Sequence, residues 1–124
     1  MRWRVLIADD SAVARAIIVR RIRQAGFDLE EHDSCASASR VDPSTVDCAL
    51  LDFDLGDGLG VDVAKRLRSA RATLPIAFFT STSREEAAEP ASSFGPIFSK
   101  AHDLEVAIDW IKCESLERGG TGRR

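Results

Sequence analysis

Short apolar blocks alternate along this chain with longer stretches whose apolar positions recur every three or four residues. The block from Trp3 to Ala8 is rich in strand-forming side chains and ends at Asp9 and Asp10, which predicts a strand. Ser11 is placed to cap a helix over roughly residues 12–25, with Ile17, Ile18 and Ile22 on its apolar side and Gly26 as the stop. Phe27 to Asp33 predicts a weaker strand carried by Phe27 and Leu29, and Ser34 to Val41 a short helix that Pro43 terminates. Cys48 to Leu51 is continuously apolar between Asp47 and Asp52, the mark of a strand covered on both faces. After the glycine-rich loop Leu55 to Gly60 comes a helix to about Arg71 with Val63, Ala64 and Leu67 inward, then another buried strand from Pro75 to Thr80. Residues 81–95 are ambiguous, because Pro90 limits any helix to about two turns before it. Pro96 to Ser99 reads as a short fifth strand. Asp103 is expected to cap a last helix to about Leu116, with Leu104, Ala107, Ile108 and Ile111 at helical spacing. The polar, glycine-rich residues 118–124 are expected to fray.

Strands and helices in strict alternation imply a parallel sheet with right-handed crossovers and helices on both faces. The expected class is α/β: a doubly wound, flavodoxin-like (βα)5 unit with strand order 2-1-3-4-5 and a shortened fourth helix. In that order strands 1 and 3 are neighbours and the chain changes direction between them, so ligands gather outside the carboxyl ends of the strands. The residues at those ends are Asp9 and Asp10 after strand 1, Asp52 after strand 3, Thr80 after strand 4 and Lys100 after strand 5. Every strand expected to reach the crevice ends in a polar or charged group.

Composition adds bounds rather than chemistry. The 124 residues suffice for one domain, expected over 1–117, with 118–124 as a flexible tail or the start of a linker. With 44% apolar and 30% charged residues, wholesale disorder is excluded. A net charge of −3 argues against nucleic acid as a partner. No apolar run approaches the ~20 residues that span a bilayer. The apolar stretch near the start, about six residues long, is too short for a signal peptide. Cys35, Cys48 and Cys113 are odd in number and widely spaced, which fits a reducing, cytoplasmic setting and packing rather than reactivity.

Three carboxylates converging on one crevice repel one another unless a cation intervenes. A hard ion such as Mg²⁺ takes oxygen ligands, keeps several waters and commonly uses one or two carboxylates plus a phosphate oxygen. With a lysine and a hydroxyl nearby, such a pocket suits phosphoryl transfer onto a carboxylate nucleophile. Each residue also has an ordinary reading: Asp9 and Asp10 as a helix-capping pair, Asp52 as the start of a turn, Thr80 as a strand end, Lys100 as a solvated charge. Their occurrence together at one end of the sheet favours the chemical reading.

Over residues 3–117 the chain resembles the receiver domain of two-component response regulators. The resemblance rests on Asp9-Asp10 with Ser11 and Arg15, on Asp47 to Asp52 continuing to Gly60, on Pro75 to Ser81, and on Phe98-Ser99-Lys100. The intervals are 42 residues from Asp10 to Asp52, 28 from Asp52 to Thr80 and 20 from Thr80 to Lys100, the last slightly short for the family. The resemblance implies that Asp52 accepts a phosphoryl group from a phosphohistidine on a histidine kinase or phosphotransfer protein. It further implies that Asp10 binds Mg²⁺ directly, Asp9 through water and Asp54 through its backbone carbonyl. Lys100, Thr80 and the Ser81 amide would hold the phosphoryl oxygens. Phe98 would follow Thr80 as a switch and reshape the face from strand 4 to helix 5 for a downstream protein target. A homodimer is a candidate assembly, although a short fourth helix disfavours the usual pairing face. No nucleic-acid or membrane contact is expected of this domain, and no enzymatic role beyond self-catalysed phosphoryl acceptance and autodephosphorylation.

Several positions depart from the family pattern. Ala101 stands where a proline usually follows the lysine, which predicts a trans Lys100–Ala101 bond and a re-aimed lysine. Gly56 replaces a frequent proline and is expected to loosen its loop. Asp54 adds a carboxylate two residues past the acceptor, where it would perturb metal affinity or the attack of water. On helix 1, Arg15, Arg20, Arg21 and Arg23 form a basic set that would either steer an acidic partner or stay solvated, and Val13 and Ile17 are candidate donor contacts. Two other functions fit parts of the sequence. A receiver-like interaction module that no longer cycles phosphate is compatible with Ala101. A haloacid dehalogenase-like phosphatase is suggested by Asp52-Phe53-Asp54 but opposed by motif order and the lack of room for a cap domain.

Overall fold

The fold is described from a computed structural model over residues 2–83 and 89–119. Five strands, β1 (Arg4–Ala8), β2 (Asp28–His32), β3 (Cys48–Leu51), β4 (Ile76–Thr80) and β5 (Ile97–Ser99), form one sheet in the order β2-β1-β3-β4-β5. Every neighbouring pair is parallel. The helices are α1 (Ala12–Gln24), α2 (Cys35–Ala38), α3 (Gly60–Ala70), a helical turn at 89–91 numbered α4, and α5 (Leu104–Glu114). This is the doubly wound, flavodoxin-like arrangement expected from the alternation of elements.

Strand side chains alternate between two cores. Val5, Ile7, Cys48, Leu50, Ala77 and Phe79 face α1 and α5, where they meet Ile18, Ile22, Ala107, Ile108 and Ile111. Leu6, Ala8, Ala49, Leu51, Ile76 and Phe78 face the other side with Val63, Ala64 and Leu67 of α3. The central strands β3 and β4 are buried at every position, so their runs read as continuously apolar. Each large side chain so covered stabilises the fold by about 1.5–3 kcal/mol.

Element ends follow local chemistry. The Ser11 hydroxyl accepts Ala14 N–H at 3.3 Å to start α1, and Ala25 caps its end just before Gly26. Ser34 likewise caps α2, accepting Ser37 N–H at 3.0 Å. That helix is only four residues long, shorter than the expected span to Val41, and a 3-10 turn at Pro43–Thr45 follows it. Serines at 37 and 39 are weak helix formers and leave little to propagate a helix.

Two expectations need correction, the inward place of Ile17 and the packing of all three cysteines. Ile17 is 55% exposed, and the buried face of α1 is Ile18, Val19 and Ile22. α5 ends at Glu114 and passes into a π turn at Ser115–Gly119. Within that turn Arg118 is tied down, donating to the Thr73 carbonyl at 2.8 Å and pairing with Glu114 at 3.5 Å. Of the three free cysteines only Cys48 is buried; Cys35 is half-buried and Cys113 exposed. The Cys48 thiol is pushed up to about 12 by desolvation, which removes it from thiolate chemistry. The middle of the ambiguous 81–95 segment, 84–88, and the residues after 119 lie outside the described residues.

Replacing Leu67, fully buried, with alanine is expected to cost about 2–5 kcal/mol in urea unfolding. The same change at exposed Ile17 is expected to stay within about 0.5 kcal/mol.

Candidate phosphoacceptor site

The sheet register assembles the site. Ala8 and Leu51 are paired on adjacent parallel strands, so the next residues, Asp9 and Asp52, leave β1 and β3 side by side. Asp52 N–H bonds the Ala8 carbonyl at 2.8 Å and fixes that relation. Thr80 closes β4 opposite Ser99 of β5, and Lys100 N–H bonds the Thr80 carbonyl at 3.0 Å. Four strands therefore deliver their last residues to one rim.

The functional atoms meet there. Carboxylate oxygens of Asp9, Asp10 and Asp52 lie within 4.8 Å of one another. Asp9 and Asp52 are buried, whereas Asp10 is exposed and opens the cluster to solvent. Lys100 Nζ reaches Asp52 Oδ2 at 2.6 Å and Asp9 Oδ2 at 2.8 Å. The Thr80 hydroxyl donates to Asp52 Oδ1 at 2.7 Å and accepts Thr82 N–H at 3.1 Å. Both acceptor oxygens of Asp52 are thus engaged by groups suited to neutralising charge. Burial, the largest single influence, pulls the Lys100 pKa down. Its hydrogen bonds to Asp52 and Asp9 and their charges together outweigh burial and hold it above its ordinary value.

Neighbouring groups hold these side chains in place. Asp9 Oδ1 accepts Ser11 N–H at 2.9 Å, and Arg15 grips the Asp9 carbonyl at 2.6 Å while pairing with Glu31 at 3.3 Å. Arg21 and Arg23 also pair within the molecule, with Glu105 and Glu31, so three of the four basic positions on α1 are engaged internally. Val13 and Ile17 stand exposed on the same helix. The α3 start packs directly on Asp52: a Cβ at Gly60 would lie 2.0 Å from the Asp52 carbonyl oxygen. No side chain fits at that position.

The remaining expected residues divide. Phe98 and Ser81 line a cavity of about 240 Å³ together with Thr80 and Ser83, and Phe98 stacks obliquely on Trp110 at 6.4 Å. Ser81 itself is exposed. The Asp54 carboxylate lies outside the acidic cluster and accepts Gly56 N–H at 2.9 Å. Gly56 adopts φ +81°, a conformation that proline cannot reach. Its loop is tied rather than loose, closed by Leu55 N–H on the Gly58 carbonyl at 2.9 Å and by a bridge between Asp54 and Leu59. No cis peptide bond occurs among the described residues, so Lys100–Ala101 is trans as expected, yet Lys100 still reaches Asp52. Asp103 does not cap α5 with its side chain; it accepts Ser99 N–H at 2.9 Å and closes the turn that carries Lys100.

An oxygen-only set of three carboxylates, open to solvent at Asp10, fits a hard divalent cation that keeps part of its water shell. The roles of Arg15 and Gly60 were missed from sequence. An arginine one turn into α1 and a glycine at the start of α3 were the available signals.

A doubly wound sheet with an acidic, lysine-bridged pocket at its switch point defines a class of α/β domains that bind their ligands in that crevice. The chain belongs to the response regulator receiver domain family, whose model matches residues 5–108. A protein-glutamate methylesterase/protein-glutamine glutaminase from Caulobacter vibrioides is 32% identical over 119 residues, 94% of this chain and 32% of the relative. This chain therefore spans about a third of that relative's length. Among solved structures, a response regulator receiver protein from Sinorhizobium medicae superposes with a TM-score of 0.82 at 20% identity, covering 91% of this chain and 94% of the other. The response regulator TrrA from Thermotoga maritima, solved with Mg²⁺ and BeF, gives 0.81 at 18% identity, covering 90% and 98%. At these identities the structural likeness speaks for the fold. No helix among the described residues is long and apolar enough to cross a membrane.

Replacing Lys100 with methionine strands two buried carboxylates and is expected to destabilise the metal-free protein by about 3–5 kcal/mol near neutral pH. Because the folded lysine titrates above its ordinary 10.5, its contribution is complete below that value and fades as pH rises through the folded pKa. Urea unfolding of both proteins from pH 7 to 11 should show their difference shrinking only at the alkaline end.

Proposed function

We propose that this protein is a phosphoacceptor switch in which Asp52 takes a phosphoryl group from a phosphohistidine on a histidine kinase or phosphotransfer protein. The observation that carries this reading is the contact set on one carboxylate: Thr80 on Oδ1, Lys100 on Oδ2, and the Asp9 and Asp10 oxygens within 4.8 Å. An Asp52 oxygen attacks phosphorus, the phosphorus–nitrogen bond to the donor histidine breaks, and an acyl phosphate remains on Asp52. Lys100 offsets the charge that stays on the phosphoryl oxygens. Asp9, Asp10 and Asp52 would hold Mg²⁺ with the Asp54 carbonyl, and the ion supplies charge neutralisation to the moving phosphoryl group. Hydrolysis of the acyl phosphate returns the resting state.

The Thr80 bond gives the transfer a conformational consequence. Its hydroxyl donates to Asp52 Oδ1, and phosphorylation of Asp52 brings new phosphoryl oxygens within its reach, beside the Ser81 amide, to which it transfers its bond. Thr80 and Phe98 border one cavity, and movement of the first changes the space open to the second. This couples Asp52 to the face from β4 to α5, the surface offered to a downstream protein. A cytoplasmic location accompanies this reading.

Incubation with acetyl phosphate or beryllofluoride, with and without Mg²⁺, followed by intact-mass analysis, tests it. One Mg²⁺-dependent adduct is expected, absent in Asp52→Asn. No such adduct would leave an interaction module that keeps the fold without cycling phosphate.

Asp54 sets a second expectation. Replacing it with alanine removes a carboxylate beside the acceptor and should change the lifetime of the phosphorylated protein, read as dephosphorylation over time. An unchanged lifetime assigns Asp54 to the loop turn at Gly56 alone.

A further inference from the structure

The loop that joins β3 to α3 comes close to the acidic cluster at one place and is tied to α2 at another. On one side Gly56 comes against the acidic cluster, where a Cβ would stand 3.3 Å from Asp10 Oδ2. On the other side Asp57, an exposed residue, sends its carboxylate to the start of α2, 22 residues away in sequence. Oδ1 accepts Cys35 N–H at 2.7 Å and Oδ2 accepts Ala36 N–H at 3.0 Å. The backbone hydrogen bonds from Ala36 and then Cys35 hold this carboxyl below its usual range. With the Ser34 hydroxyl on Ser37 N–H, these bonds supply the amides of the first turn of α2, whose four residues cannot sustain a helix alone. The thiol of Cys35 adds a weak contact to the Leu59 carbonyl at 3.9 Å.

Asp54 stands two residues before Gly56 and three before Asp57, and its carbonyl is a metal ligand in the proposed function. We propose that Asp57 is a positioning residue for the Mg²⁺ pocket: its two-pronged grip on α2 fixes the loop that presents the Asp54 carbonyl and lies against Asp10. This inference rests on the phosphoacceptor reading above. Asp57 does not touch the acidic cluster itself. It acts by removing loop conformations in which the oxygens of the pocket fail to converge, as partners outside a coordination sphere commonly do.

The test is a calorimetric Mg²⁺ titration of the full chain as wild type, Asp57→Ala and Asp57→Asn, with Asp42→Ala as a charge control. Asp42 caps the 3-10 turn through Ser44, so its loss removes an acidic group that does not hold this loop. Asp57→Ala is expected to bind Mg²⁺ about tenfold more weakly. Asp57→Asn, which keeps one acceptor oxygen, is expected to stay within about threefold of wild type, and Asp42→Ala to match it. Amide exchange in the metal-free state should accelerate at Cys35 and Ala36 and also at Leu55 and Gly56 in Asp57→Ala. Unchanged affinity in Asp57→Ala, or an equal loss in the asparagine variant and in Asp42→Ala, overturns the inference, the latter pattern reporting charge alone. A wild-type protein that binds no Mg²⁺ overturns the functional reading and this inference with it, whereas binding in the wild type with no effect at position 57 overturns the inference alone.

Discussion

Two buried carboxylates placed side by side by parallel strand register are the constraint from which the rest of the site follows. Asp9 and Asp52 sit one residue beyond a fixed β1–β3 pairing, and neither can turn away without breaking the strand ends that carry it. Their mutual repulsion in a pocket of low dielectric demands a cation. Lys100 supplies one by contacting both. Its reach depends on β5 lying beside β4, and hence on the whole strand order.

The two apolar cores make this polar rim affordable. Strand alternation divides the aliphatic side chains between α1 with α5 on one face and α2 with α3 on the other. The central strands β3 and β4 are sealed on both sides, and their carboxyl ends face the crevice. Polar residues therefore appear where the strands stop, and the packing of α3 through Gly60 brings a helix against the Asp52 backbone without filling the pocket.

The turn after β5 shows how this chain meets the family geometry with different residues. Ala101 follows the lysine with a trans peptide, and the turn is closed by a reciprocal pair: Asp103 accepts Ser99 N–H and returns its own N–H to the Ser99 carbonyl at 2.8 Å. Ala101 N–H adds a bond to the Ser99 hydroxyl at 3.2 Å. A local hydrogen-bond network thus directs Lys100 at Asp52. On the same rim the Gly56 loop comes close to Asp10, where a Cβ would stand 3.3 Å from its Oδ2.

The layout of the sheet and the cluster of Asp9, Asp10, Asp52, Thr80 and Lys100 were legible in the sequence. Continuous apolar blocks at β3 and β4, amphipathic helices between strands and polar residues at every strand end are local patterns that topology rules convert into a crevice. Other features depend on partners distant in the chain. The exposure of Ile17 was set by which helical stripe met the sheet, the fate of Asp103 by the amide of Ser99, and the grip of Asp57 by the free amides of α2. Periodicity and spacing record which residues can face a core or a crevice, because those properties repeat along one element. Which donor a given carboxylate finds, and which apolar residue stays in water, are fixed only when separate elements pack, since each such contact joins atoms whose separation no local pattern encodes.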